Sequence, residues 1–176
     1  MNKVKKLEIL SNFISNTESQ QIIQLIEDYP QWLGPQRKML LSIKDGDLKS
    51  LLLKYLNQIQ NHTGNHSLFI QEYAPGVYLP GFSMGLHTDV EDRKSFVLSA
   101  VAYLNESYVG GEIEFPNLKF IYRPKAGDLM LFPSGGEDYD HQVNVLKSGK
   151  RYLMTIWMTH DASKADPFIH EKISIE

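Results

Sequence analysis

The chain has 176 residues, enough for one domain with a buried core and short for two. With 42% hydrophobic and 22% charged residues its composition is globular, not disordered. A net charge of -3 leaves no basic footprint for nucleic acid or anionic membranes, and the absence of cysteine excludes disulfides, thiolate metal sites and cysteine nucleophiles, so any metal must be held by His, Asp or Glu.

Lys3, Lys5 and Lys6 are followed by Glu8, Ser11 and Asn12, which interrupt any apolar signal core. The apolar run 100–104 falls far short of the roughly 20 residues that span a bilayer. A soluble, cytoplasmic protein without a membrane partner is expected. Two helices are predicted in the first third. Ser15 caps the first with Glu18 three residues on, Ile22, Leu25, Ile26 and Tyr29 form its apolar stripe, and Pro30 stops it. Asp47 is expected to cap the second, whose Leu48, Leu51, Leu52, Tyr55, Leu56 and Ile59 recur at helical spacing before Gly64.

From about Ser67 the pattern changes to short strands separated by Gly, Pro, Asn and Asp. Eight are predicted, at 69–74, 83–89, 96–104, 112–115, 118–122, 128–132, 141–146 and 151–159. A helical cover over residues 1–66, a β core over 67–159 and a tail over 160–176 describe one domain, mainly β, of the jelly-roll kind. The strands at 96–104 and 151–159 are apolar on both alternating faces, so one face can take the helical stripes while the other lines an interior. Val101, Leu129, Leu131, Val143 and Leu153 are the expected apolar lining.

His87-Thr88-Asp89 places an imidazole and a carboxylate two residues apart on a predicted strand, where both project from one face. His141 opens another strand and offers a third ligand. Two His and one carboxylate leave three positions open on an ion, the arrangement of non-haem Fe(II) oxygenases, although a zinc hydrolase uses similar donors. Arg151, Leu153, Thr155 and Trp157 share one face of the last strand, which directs a guanidinium and a hydroxyl into the same space. A buried guanidinium needs an anion, and its fork suits a carboxylate. His62, His66, His160 and His170 read as surface residues, and Trp157 as plain core packing.

The pieces Gln-Glu-Tyr-Ala-Pro-Gly (71–76), Leu-His-Thr-Asp (86–89), Ala-Tyr-Leu-Asn (102–105), Gly-Gly-Glu-Ile-Glu-Phe-Pro (110–116), Pro-Lys-Ala-Gly-Asp-Leu-Met-Leu-Phe-Pro-Ser (124–134), His-Gln-Val (141–143) and Gly-Lys-Arg-Tyr (149–152) follow one another in a specific order. Over 71–158 the chain resembles the Fe(II) and 2-oxoglutarate-dependent dioxygenases, and within them the prolyl 4-hydroxylase-like group. The resemblance implies a double-stranded β-helix, cupin-like, with the N-terminal helices packed on its major sheet. It implies Fe(II) bound by His87, Asp89 and His141, with O2 and 2-oxoglutarate as co-substrates and ascorbate as an optional reductant. Arg151 would pair with the distal carboxylate of 2-oxoglutarate, assisted by Thr155 and Tyr103. Tyr73 matches a family tyrosine near the co-substrate, with Tyr78 its rival because the stretch 76–86 is longer than usual. An aspartate at position 89 points to hydroxylation, since halogenating members carry a small residue there.

The implied reaction hydroxylates an aliphatic carbon, best read as a prolyl residue of a peptide or protein, while 2-oxoglutarate is oxidatively decarboxylated to succinate and CO2. The same chemistry on a free amino acid or other small molecule is the nearer alternative. A non-catalytic jelly-roll binding module and a metallohydrolase are more distant ones. Local sequence around Ser148 and Gly149 reads as a hairpin, but the family topology makes this segment cross between sheets, with His141 facing Arg151, and puts the true hairpin at Pro116 and Asn117. The stretch 76–85 is a candidate lid. The charged runs Glu91, Asp92, Arg93, Lys94 and Glu137, Asp138, Asp140 flank the ligands. Nothing in the sequence sets the oligomeric state.

Overall fold

A computed structural model of the protein describes residues 6–30, 33–91 and 94–171; Asp92 and Arg93 of the first charged run lie outside them. In chain order the elements are β1 (Glu8–Leu10), α1 (Asn16–Asp28), β2 (Arg37–Met39), α2 (Gly46–Thr63), β3 (Phe69–Tyr78), β4 (Met84–His87), β5 (Leu98–Tyr103), β6 (Tyr108–Gly110), β7 (Ile113–Phe115), β8 (Phe120–Tyr122), β9 (Leu129–Pro133), β10 (His141–Val143), β11 (Leu146–Gly149) and β12 (Arg151–Thr159). Three sheets result. The major one runs β1-β9-β5-β12-β3-β2, the minor one β4-β10-β7-β8, and β11 pairs with β6.

Both helices start where a side chain satisfies their free N–H groups. Ser15 and Glu18 form the expected capping box on α1. On α2 the cap is Asp45, not Asp47: the Asp45 carboxylate accepts the Leu48 N–H at 2.8 Å, and Asp47 stands in the first turn. Gly64 ends this helix in the left-handed conformation. The two helical stripes, including Ile22, Ile26, Leu52 and Ile59, cover one face of the major sheet, against Ala100, Ala102, Leu131, Met154 and Ile156. Each of the larger aliphatic side chains contributes about 1.5–3 kcal/mol on leaving water.

Alternation does the rest. Val101, Tyr103, Met130, Phe132 and Leu153 point to the opposite face and meet Ile113 and Phe115 of the minor sheet, which closes a sandwich. The register pairs Val101 with Met130 and Ala100 with Leu131. That corrects the expected lining: Leu129 and Leu131 belong under the helices, and Met130 and Phe132 face the interior.

β10 and β12 lie in different sheets, so the chain between them crosses the sandwich as expected, using β11 as an intermediate strand. A hairpin does join β7 and β8 through Pro116–Leu118. The segment after β3 is tied down rather than a loose lid: Gly81 N donates to Leu146 O at 2.8 Å, and Leu146 N to Phe82 O at 2.8 Å. The tail also docks. Ile169 is buried in the helical core, and His170, expected at the surface, accepts the Ile70 N–H on Nε2 at 3.0 Å. Among the described residues no helix is long and apolar enough to cross a membrane.

Candidate metal centre and anion pocket

β4 and β10 pair antiparallel with His87 opposite His141, which brings the two rings to 4.3 Å between centroids. Asp89 lies just past the end of β4, in a turn that Thr88 pins by donating its hydroxyl to Ser134 O at 3.2 Å. Asp89 Oδ1 stands 3.7 Å from His87 Nε2 and 3.8 Å from His141 Nε2. Those separations are too long for hydrogen bonds. They suit atoms sharing one ion with bonds of about 2.1 Å, whose separations run from about 3 to 4.2 Å.

The outer atoms of each candidate ligand are already engaged. His87 Nδ1 meets Gly85 O at 2.9 Å and His141 Nδ1 meets Tyr139 O at 3.0 Å. A carbonyl only accepts, so each Nδ1 carries a proton, and in the neutral ring Nε2 then presents a lone pair to the centre. Burial pushes the His141 pKa below the usual histidine value, while the Asp89 carboxylate pulls it the other way. Phe115 and Phe132 pack on that ring at 5.2 and 5.0 Å. On the carboxylate, Oδ2 accepts from Ser99 Oγ at 2.5 Å and Trp157 Nε1 at 3.0 Å, which leaves Oδ1 to face the imidazoles. Two imidazoles, one carboxylate and no thiolate suit Fe(II).

The three donors line a cavity of about 470 Å³ together with Arg151. Arg151 is 1% exposed, and among the described residues no carboxylate lies within ion-pair distance of it. Its Nε and Nη1 have no hydrogen-bond partner. Tyr78 and Tyr103 flank the guanidinium, with ring centroids 5.5 and 5.3 Å from Cζ, and Phe82 stacks on Tyr78 at 4.0 Å. Thr155 lines the same cavity. A buried cation with two idle donors fits the carboxylate of a small ligand.

The structure thus gathers His87, Asp89, His141, Arg151, Tyr78, Tyr103 and Thr155 at one cavity, and Tyr73 lies outside it. Tyr73 and Tyr78 are five residues apart on one strand and face opposite ways; Tyr73 packs under the helices and donates its hydroxyl to Ile43 O at 2.6 Å. That corrects the alternative toward Tyr78. Trp157 is more than core packing, since its indole N–H holds Asp89. Ser99 escaped sequence reasoning altogether. The available signal was its place with Val101 and Tyr103 on the interior parity of β5, where a hydroxyl needs a partner.

Comparison with known proteins bears on both fold and centre. Human prolyl 3-hydroxylase 2 is 37% identical over 68 residues, 36% of this chain and 10% of that protein. Mouse prolyl 3-hydroxylase 3 is 36% identical over 66 residues, 35% and 9% respectively. The chain thus matches about a tenth of the length of these curated relatives. A viral collagen prolyl hydroxylase from Paramecium bursaria Chlorella virus-1, solved with 2-oxoglutarate, superposes with a TM-score of 0.74 at 20% identity, covering 89% of this chain and 96% of that one. A prolyl hydroxylase from Trichoplax adhaerens, in complex with a hypoxia-inducible-factor peptide fragment, does so with 0.70 at 20% identity, covering 92% and 86%. These likenesses show the double-stranded β-helix fold. The profile of the 2OG-Fe(II) oxygenase superfamily matches residues 69–159, just over half of the sequence, and the chain belongs to that superfamily.

Proposed function

We propose that the protein is a hydroxylase in which His87, Asp89 and His141 ligate Fe(II), Arg151 receives the distal carboxylate of 2-oxoglutarate, and the substrate is a prolyl residue in a peptide or protein. The observation that carries this reading is the buried Arg151 guanidinium, without an anionic partner among the described residues, in the same cavity as the three donors. A structural arginine would have found a carboxylate of its own chain. A metallohydrolase has no need of this cation, and a jelly-roll binding module has no need of the oriented Nε2 pair.

When bound, Fe(II) with 2-oxoglutarate and O2 supplies the oxidising power to replace an aliphatic C–H by C–OH, with the co-substrate decarboxylated to succinate and CO2. The chain's own part is to hold and to shelter. Gly85 O and Tyr139 O orient the imidazoles, and Ser99 and Trp157 orient the carboxylate. Arg151 orients the co-substrate, with Tyr78, Tyr103 and Thr155 around it. Val101, Phe132 and Leu153 keep water from the reacting carbon. His87 sits at the accessible side of the centre, its side chain 26% exposed against 7% for His141, and the substrate enters there. The prolyl peptide is supported by the relatives, which are named for prolyl hydroxylation, one of them in complex with a peptide fragment.

Anaerobic titration of the Fe(II) protein with 2-oxoglutarate tests the centre, and the chelate is expected to give a weak visible charge-transfer band. Absence of the band, with zinc retained on metal analysis, would refute the assignment. Succinate formation is then compared across proline-containing peptides and free amino acids. Stimulation by free amino acids alone would overturn the peptide reading.

A further inference from the structure

We propose that Tyr108 and Gly111 are positioning residues that seat the Arg151 guanidinium, and that this seat sets the length of 2-oxo diacid the protein accepts. The inference rests on the assignment of Arg151 to the co-substrate and adds two residues to which neither the sequence nor the comparisons gave a role.

At Gly111 a side chain would crowd Arg151. A Cβ built there would lie 3.1 Å from Arg151 Cδ, 3.7 Å from Arg151 Nε and 3.3 Å from Leu146 Cδ1. The arginine stem therefore lies against bare backbone, and that backbone is fixed: Gly111 has φ +69° and donates its N–H to Val145 O at 3.2 Å. Tyr108, three residues earlier, is 4% exposed, and its hydroxyl has no hydrogen-bond partner. Burial pushes its pKa up, and the Arg151 guanidinium is the strongest influence the other way, so the phenol keeps its proton beside the cation. The backbone that carries the ring is fixed as well. Gly149 faces it across the β6–β11 pair, so close that a Cβ there would meet Tyr108 Cα at 2.9 Å, and Arg123 Nη2 donates to Tyr108 O at 3.2 Å.

Arg151, with its two idle nitrogens, lines the cavity, whereas Tyr108 and Gly111 do not, so they act on the cation and not directly on the acid. One end of the co-substrate is fixed by the metal ligands. The other is fixed by how far Arg151 reaches, so the carbon count of the acid follows from the seat. Pushing the stem forward at Gly111 should favour an acid one methylene shorter. Removing the phenol hydroxyl should loosen the cation without changing its reach.

Anaerobic calorimetry on the Fe(II)-loaded protein tests this with 2-oxoglutarate, the shorter oxaloacetate, the longer 2-oxoadipate, and oxalate, which has no distal carboxylate on a longer chain. Tyr108→Phe is expected to raise the Kd for 2-oxoglutarate about tenfold, the size of the one hydrogen bond that the idle phenol and guanidinium would form once the carboxylate is bound, with oxalate binding unchanged. Gly111→Ala is expected to shift the preference from 2-oxoglutarate toward oxaloacetate and to exclude 2-oxoadipate. Tyr108→Phe adds no bulk and carries the test alone if the strained alanine fails to fold. Unchanged 2-oxoglutarate binding in Tyr108→Phe, or an equal loss of oxalate, would overturn the proposal. Wild-type protein that binds Fe(II) but no 2-oxo diacid would overturn the function on which it rests as well.

Discussion

Ser99→Ala isolates the device that holds the candidate carboxylate ligand. Asp89 Oδ2 has two donors, Ser99 Oγ at 2.5 Å and Trp157 Nε1 at 3.0 Å, and its side chain is 8% exposed, so water does not readily replace a lost one. A hydrogen bond to a charged group contributes about 1.5–3 kcal/mol. Part of that is felt before metal binds, because the buried carboxylate then keeps one donor of two. The rest appears as freedom of Asp89 to turn Oδ1 away from the imidazoles, and outer partners of metal ligands typically change metal affinity by about 10–100-fold. Calorimetric titration of the metal-free protein with Fe(II) under argon is the assay, alongside the melting temperature of the same sample. Ser134→Ala, which removes the 2.8 Å contact one step further out, should weaken binding less. A Ser99→Ala protein that melts lower yet binds Fe(II) as tightly as wild type would refute the reasoning, because the bond would then support the fold and not the ligand.

Arg151→Met should abolish stabilisation by 2-oxoglutarate while leaving the ligand-free melting temperature equal or higher, since a buried charge without a partner carries an uncompensated desolvation cost that an apolar side chain removes; a lower melting temperature with the ligand shift intact would contradict this. Asp45→Ala should cost about 1 kcal/mol in urea unfolding and Asp47→Ala almost nothing, because only the first carboxylate caps α2; equal effects would remove that distinction. His170 accepts a backbone N–H, and burial holds its pKa below the ordinary value of about 6.5. The unfolded chain therefore takes up the proton first as pH falls below that value, and the contribution present at higher pH is lost toward the folded pKa. Unfolding free energies measured from pH 7.5 to about 5 should fall less steeply in His170→Gln; parallel curves would show that the latch does not titrate.

What the sequence disclosed depended on how many residues cooperate in a signal. The capping box and the stripes of α1 and α2 engage many positions, and β12 repeats one alternation over nine residues, so the common face of Arg151, Leu153, Thr155 and Trp157 was legible. Four strands went unseen. β1, β2, β6 and β11 have three or four residues each and exist because a neighbouring strand offers unpaired backbone, a tertiary cause that leaves little local pattern. The lining from β9 was misjudged by one residue because Leu129, Met130, Leu131 and Phe132 are all apolar, so only its pairing with β5 decides which two face inward. Tyr73 and Tyr78 could not be separated by motif, but strand parity separates them at once. The tail's His170 looked exposed because its partner is the backbone of Ile70, a hundred positions away in sequence.

Strand parity also links the two halves of the candidate site. Arg151 opens β12 and Trp157 lies six residues on, about 20 Å along one strand. One end carries the cation proposed for the co-substrate, and the other end carries the indole that holds the candidate metal ligand. Between them Thr155 and Leu153 face the same cavity, while Met154 and Ile156 are buried under the helices. The distance from anion pocket to metal centre is thus set by the rise of a single strand, paired with β5 on one side and β3 on the other. A slip of one residue in either pairing would turn Arg151 and Thr155 toward the helices and place Tyr152 and Met154 in the cavity. Packing of Ile156 and Met154 against α1 and α2 opposes that slip, so these two helices, which do not line the cavity, maintain the spacing on which the chemistry depends.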